Sequence, residues 1–193
     1  MEKKFYELTN SQKNIWNTEM FFKNTNVNNV SGASIIKENI NIELLKAAIN
    51  KLVELNDSFR IHLTLLDGKP VQFFTDYKPF DIEVIDVSSD EEFLNAKESL
   101  AQETFEVLNS SLFKFKLARF PNGYVAVMFN SHHIICDSWS SAIIIQEIVK
   151  IYHSILNNEP YVCDTYSYVD SINDEIKYEK SSRYEKDKAF WSD

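Results

Sequence analysis

One stretch limits this chain's fold more than any other: an apolar run, a histidine pair and an amphipathic run in immediate succession. Tyr124 to Phe129 is continuously apolar and reads as a buried strand. Ser138 to Leu156 places Ile144, Ile148, Ile151 and Ile155 on one helical stripe. Between them lies His132-His133-Ile134-Ile135-Cys136-Asp137, where a strand ends and the chain turns into a helix. Loops at strand ends, held by a rigid sheet, are where open α/β folds place their chemistry. An imidazole that titrates near neutrality, with a carboxylate four residues on, is the raw material of acid–base or positional catalysis.

The rest of the chain alternates in the same way. Thr9 is expected to cap a helix through Gln12, Ile15, Trp16 and Glu19, and Asn41 to cap one carrying Leu44, Leu45, Ala48, Ile49, Leu52 and Val53. Val30 to Ile40 reads as a strand. Phe59 to Leu66 and Val71 to Thr75 flank Asp67-Gly68, a hairpin signal. Ile82 to Val87 is a short strand, and Asp90-Glu91-Glu92 opens a helix with acidic residues near the positive end of its dipole. Leu112 to Phe120 sets Phe113, Phe115 and Leu117 against Lys114 and Lys116, which is strand periodicity with one wet face. The tail from 166 to 193 is charge-rich, with Tyr168, Ile172, Ile176 and Tyr184 at rough helical spacing. The order βαβαβββαββα predicts an α/β (α+β) fold: a two-layer sandwich of a mixed, mostly antiparallel sheet with helices.

Composition removes several functions. A net charge of −9 argues against nucleic acid or an anionic membrane as main partner, since both need a basic surface. No apolar run approaches the roughly 20 residues that cross a bilayer, and the start Met1-Glu2-Lys3-Lys4-Phe5 lacks a secretory apolar region. Cys136 and Cys163 show no CxxC spacing, which leaves a reduced, cytoplasmic protein as the expectation. No metal is expected, because His62 and His153 have no motif relation to the histidine pair.

Adjacent histidines on an extended segment point to opposite sides, so one faces the site and the other is structural. A purely structural reading, with Asp137 capping the following helix and His133 as its local partner, stands beside catalysis on these six residues alone.

Three segments, in order, carry a resemblance to nonribosomal peptide synthetase condensation domains. Tyr6-Glu7-Leu8-Thr9-Asn10-Ser11-Gln12-Lys13-Asn14-Ile15-Trp16 resembles their opening motif, and Leu52-Val53-Glu54-Leu55-Asn56-Asp57-Ser58-Phe59-Arg60 their second. His132-His133-Ile134-Ile135-Cys136-Asp137-Ser138-Trp139-Ser140 resembles the active-site signature HHxxxDG with its Trp-Ser sequel, and Phe105 to Leu117 is similar to the strand before it. The sequel favours condensation over epimerization relatives, and the paired histidines disfavour cyclization relatives.

The resemblance implies the N-terminal lobe of a two-lobed, chloramphenicol-acetyltransferase-like domain with its active site between the lobes. Residues 1–193 would form that lobe, whether an excised piece or a truncated gene product, with 166–193 leading toward the second lobe. It implies amide-bond formation between aminoacyl or peptidyl thioesters on the phosphopantetheine arms of donor and acceptor carrier proteins, with no cofactor bound directly. His133 would hold, and in one version deprotonate, the attacking amine; His132 would be structural; Asp137 would pair with Arg60 to hold the loop. Trp139 and Trp16 are pocket candidates, with core packing the preferred reading of both. The family glycine is Ser138 here. A left-handed backbone at that position would cost serine about 1 kcal/mol; if glycine is there only so that substrate can pass close by, the side chain narrows the channel. Ser138 as a nucleophile lacks the GxSxG elbow. A free-standing coenzyme A-dependent acyltransferase and a catalytically silent docking lobe are the alternatives, and a lone lobe is expected to be inactive and to self-associate.

Overall fold

The computed structural model describes residues 3–162 and 166–192; Cys163 lies outside them. The strand Val125–His132, buried at every position, organises the molecule. A strand that is apolar on both faces needs cover on both, and this one receives it. Val125, Val127 and Phe129 enter the main core, whereas Ala126 and Met128 enter a smaller one on the opposite face.

In chain order the elements are β1 (Tyr6–Glu7), α1 (Asn10–Phe21), β2 (Asn29–Ile36), α2 (Ile42–Leu55), a 3₁₀ turn (Asp57–Arg60), β3 (Ile61–Leu66), β4 (Lys69–Phe74), β5 (Glu83–Asp86), α3 (Asp90–Gln102), β6 (Phe113–Arg119), β7 (Val125–His132), α4 (Ser138–Leu156), α5 (Tyr168–Glu179) and α6 (Ser182–Ser192). They form two sheets: three strands in the order β1-β4-β3, and four in the order β2-β7-β6-β5. Every strand pair is antiparallel except β5 with β6. This is the mixed, mostly antiparallel architecture the alternation predicts, now divided between two sheets.

Helices α2 and α4 cover one face of the larger sheet through Leu45, Ile49, Leu52, Ile144, Ile148 and Ile151. Helix α3 covers the other through Phe93 and Leu100, adding a layer to the two expected. Its start follows the acidic signal: Ser89 caps it, and Asp90, Glu91 and Glu92 fill the first turn.

Asp67 and Gly68 both have positive φ (49° and 76°), the two-residue turn whose twist matches paired strands. Gly32 lies opposite Phe129 in the β2–β7 ladder, where a Cβ would come within 2.7 Å of the ring. Close approach over that ring therefore requires glycine.

Two boundaries differ from the sequence expectation. The strand after α2 begins at Ile61 and not at Phe59, because Phe59 and Arg60 belong to the 3₁₀ turn. The strand begun near Val30 ends at Ile36, before Asn41 caps α2 by accepting from the N–H groups of Glu43 and Leu44. The tail forms two helices. Helix α5 is held by buried Ile172 and by Asp57, whose carboxylate accepts from Ser167 Oγ (2.6 Å) and Tyr168 N–H (2.8 Å). Helix α6 buries no residue.

Candidate active site

Strand β7 delivers the histidine pair, and the pair separates at once. His132 ends the strand, paired with Asn29, and its side chain turns inward to 2% exposure. Its Nδ1 accepts from Ile134 N–H (3.2 Å), so the ring proton sits on Nε2 and points at Glu19 Oε2 (3.2 Å). Burial holds this imidazole below its usual value, against the opposing pull of the Glu19 hydrogen bond and charge. A neutral ring with one nitrogen accepting and the other donating braces the turn that follows.

His133 starts that turn with its side chain exposed, while its N–H donates to the Asn28 carbonyl (2.7 Å). The turn closes where Ile135 N–H meets the His132 carbonyl (3.1 Å). Ile134, Ile135 and Cys136 are buried; Asp137, Ser138 and Trp139 are exposed. Burial pushes the Cys136 thiol up, against hydrogen bonds from Ser131 and Ser141. That thiol packs in the main core.

Asp137 caps α4: its Oδ1 accepts from Ser140 N–H (2.7 Å) and Ser140 Oγ (2.6 Å). These bonds hold its carboxyl below the usual range, with a smaller contribution from positive charge on His133. An exposed imidazole and an exposed carboxylate thus share one short loop end.

Two expectations change here, and the backbone question at Ser138 is decided. Arg60 does not pair with Asp137. Its guanidinium donates to the carbonyls of Val53 (2.8 Å) and Glu54 (2.6 Å) in the last turn of α2, and to Thr75 (3.2 Å). The 3₁₀ turn folds Arg60 back onto the negative end of α2, where a cation is favoured, and Asp137 has its own helix to cap. Trp139 is not core but 78% exposed, because it lies in the first turn of α4 away from the isoleucine stripe; Trp16 is core at 8%. Ser138 is the first residue of α4 and is not among the positive-φ residues, so serine meets no left-handed backbone strain there. Among the described residues it hydrogen-bonds neither histidine.

The polar residues behind the loop leave only a faint mark in the sequence. Gln12, 1% exposed, exchanges side-chain amide hydrogen bonds with Gln72 (2.9 and 2.8 Å) and donates to the Ile134 carbonyl (3.2 Å). Glu19, 4% exposed, accepts from both His132 and Asn28 Nδ2 (2.8 Å). The available signal was the spacing: Gln12, Trp16 and Glu19 form an i, i+4, i+7 stripe, so one side of α1 buries two polar groups. A cleft of about 490 Å³ opens on the buried side of the loop, lined among others by Phe59, Ile135, Cys136, Ile144 and Tyr161. His133 stands outside it.

His133 thus follows the end of the central strand β7, beside a helix capped by Asp137. The structure superposes on the starter condensation domain of the rhizomide synthetase RzmA with a TM-score of 0.88 at 19% identity, covering 97% of this chain and 47% of that one. The first condensation domain of the calcium-dependent antibiotic synthetase gives 0.88 at 16% identity, covering 98% and 47%. In sequence, surfactin synthase subunit 1 of Bacillus subtilis is 34% identical over 203 residues, spanning 100% of this chain and 6% of that protein. A plipastatin synthase from the same organism is 30% identical over 198 residues, spanning 100% and 8%. The family model described as Condensation domain matches residues 2–193. The chain belongs to the condensation-domain family. It spans about half of the solved domains it matches and less than a tenth of these two synthetases.

Proposed function

We propose that this chain is the N-terminal, HHxxxD-bearing lobe of a condensation domain that joins two carrier-bound thioesters in nonribosomal peptide synthesis. The observation that carries the reading is the exposed His133 just past the end of β7, its backbone N–H held by the Asn28 carbonyl and its neighbour His132 locked inward. With a second lobe in place, His133 lines the channel and holds the acceptor α-amine by a hydrogen bond as it attacks the donor carbonyl. The new C–N bond forms, the tetrahedral oxyanion collapses, and the donor's phosphopantetheine thiolate leaves. The proton lost by the amine reaches the thiolate, with the imidazole as its carrier. The thioester supplies the driving force, so the lobe itself holds no cofactor.

Trp139 (78% exposed) and Ile143 (47%) lie one turn apart on α4 beside this site. They are part of the surface that the second lobe covers, and a lone lobe self-associates through it. Residues 166–193 lead toward that lobe. Donor and acceptor carrier proteins are the partners, and the cytoplasm is the compartment. No helix of the described residues is long and apolar enough to cross a membrane.

The test uses the full reading frame mixed with aminoacyl-loaded donor and acceptor carrier proteins, with the dipeptidyl thioester read by intact mass. Wild type is expected to form product and His133→Ala to lose it. No product from folded wild type, or undiminished product from His133→Ala, overturns the reading.

A further inference from the structure

Behind the loop lies a closed ring of polar contacts that the reaction itself does not use. Glu19 Oε2 accepts from His132 Nε2 (3.2 Å) and from Asn28 Nδ2 (2.8 Å). Asn28 in turn presents its backbone carbonyl to the N–H of His133 (2.7 Å), and His132 Nδ1 accepts from Ile134 N–H. The two residues flanking the reactive imidazole and its own backbone therefore refer to a single carboxylate oxygen on α1. All three side chains are buried: Glu19 4%, Asn28 7%, His132 2%.

A buried carboxyl is an expensive device. Taking it out of water costs several kcal/mol, and apolar replacements of buried polar clusters are often neutral or stabilising. Its presence is explained if it fixes one conformation rather than adding stability. Helix α1 reaches the loop at a second point, where Gln12 donates to the Ile134 carbonyl (3.2 Å). Gln12 and Glu19 are two turns apart on one face, so α1 acts as a strut running behind the loop.

We propose that Glu19 is the positioning residue of the active-site loop, fixing the His132 tautomer and, through Asn28, the backbone from which His133 projects. The inference rests on the condensation reading for its kinetic arm only. A displacement of about 1 Å at a reacting group costs up to about 10²-fold in rate. Glu19→Ala, which removes the acceptor, is therefore expected to lower kcat about 10- to 100-fold while KM for the loaded acceptor stays within about threefold. Glu19→Gln keeps one carbonyl oxygen able to accept both bonds, and is expected to recover at least about tenfold over Glu19→Ala.

Hydrogen exchange read by mass spectrometry on the full-length protein supplies the arm independent of activity. Peptides containing the His133 and Ile134 amides are expected to exchange at least about tenfold faster in Glu19→Ala and near the wild-type rate in Glu19→Gln, with the β3–β4 hairpin unchanged in both. Asn28→Ala cuts one bond to Oε2 and leaves the His132 contact; about threefold faster loop exchange is expected, a reading that stands if Glu19→Ala fails to fold. Loop exchange unmoved by Glu19→Ala or Asn28→Ala overturns the proposal, as does Glu19→Gln behaving like Glu19→Ala. Wild type that makes no dipeptide removes the condensation reading, while the exchange result still decides the role of Glu19.

Discussion

Alanine substitution of Asp137 and Arg60, singly and together, separates two descriptions of the active-site loop. If the residues pair, each removal strands a charge and the two effects overlap. In the structure they cap different helices: Asp137 serves Ser140 at the start of α4, and Arg60 serves the Val53 and Glu54 carbonyls at the end of α2. Loss of an N-cap costs about 1 kcal/mol, and loss of the negative charge at the dipole's positive end adds about 0.3–1. Asp137→Ala should therefore cost about 1.3–2 kcal/mol, or about 3–8 °C in Tm for a chain of this size. Arg60→Ala removes a charged donor from three carbonyls and should cost about 1.5–3 kcal/mol. Measured by urea and thermal unfolding of the four proteins, the double mutant should equal the sum of the singles within about 0.5 kcal/mol. A coupling energy well above about 1 kcal/mol would refute the two-cap description and restore a direct pair.

Two further outcomes follow from the same loop. Ser138→Gly should change stability by less than about 1 kcal/mol and leave turnover within about twofold, since Ser138 is an exposed first-turn helix residue without positive φ; a large gain in turnover would show that the side chain obstructs the channel. Acid should weaken the fold through His132: burial lowers its folded value below the reference 6.5, the Glu19 interaction opposes this, and charge on His133 adds to it. The unfolded chain then binds the proton first as pH falls. The contribution is complete above about pH 6.5 and is lost progressively below it. Urea titrations at about pH 7.5 and about pH 5.5, on either side of that value, should show a smaller loss in His132→Asn than in wild type; equal losses would exclude this histidine as the cause.

Much of the architecture was written in local pattern. The i, i+3, i+4 stripes of α2 and α4, the caps at Thr9, Asn41 and Asp137, the acidic first turn of α3 and the Asp67-Gly68 turn are short-range signals, and each stands where its chemistry placed it. That the two histidines point to opposite sides was equally legible, because a strand end imposes alternation, but alternation alone did not say that His132 is the buried one. Long-range partners were not. Arg60 faces α2's carbonyls because the intervening turn is 3₁₀ and not strand. Trp139 is exposed because its place on the turn of α4, not its hydrophobicity, sets its direction. Glu19 meets His132 across 113 residues of sequence. Local sequence determines which backbone state each segment prefers, since those energies act within a few residues. Which buried polar group answers which is decided only when α1, β2 and β7 pack together, because a hydrogen bond across the core has no counterpart in the chain until the core exists.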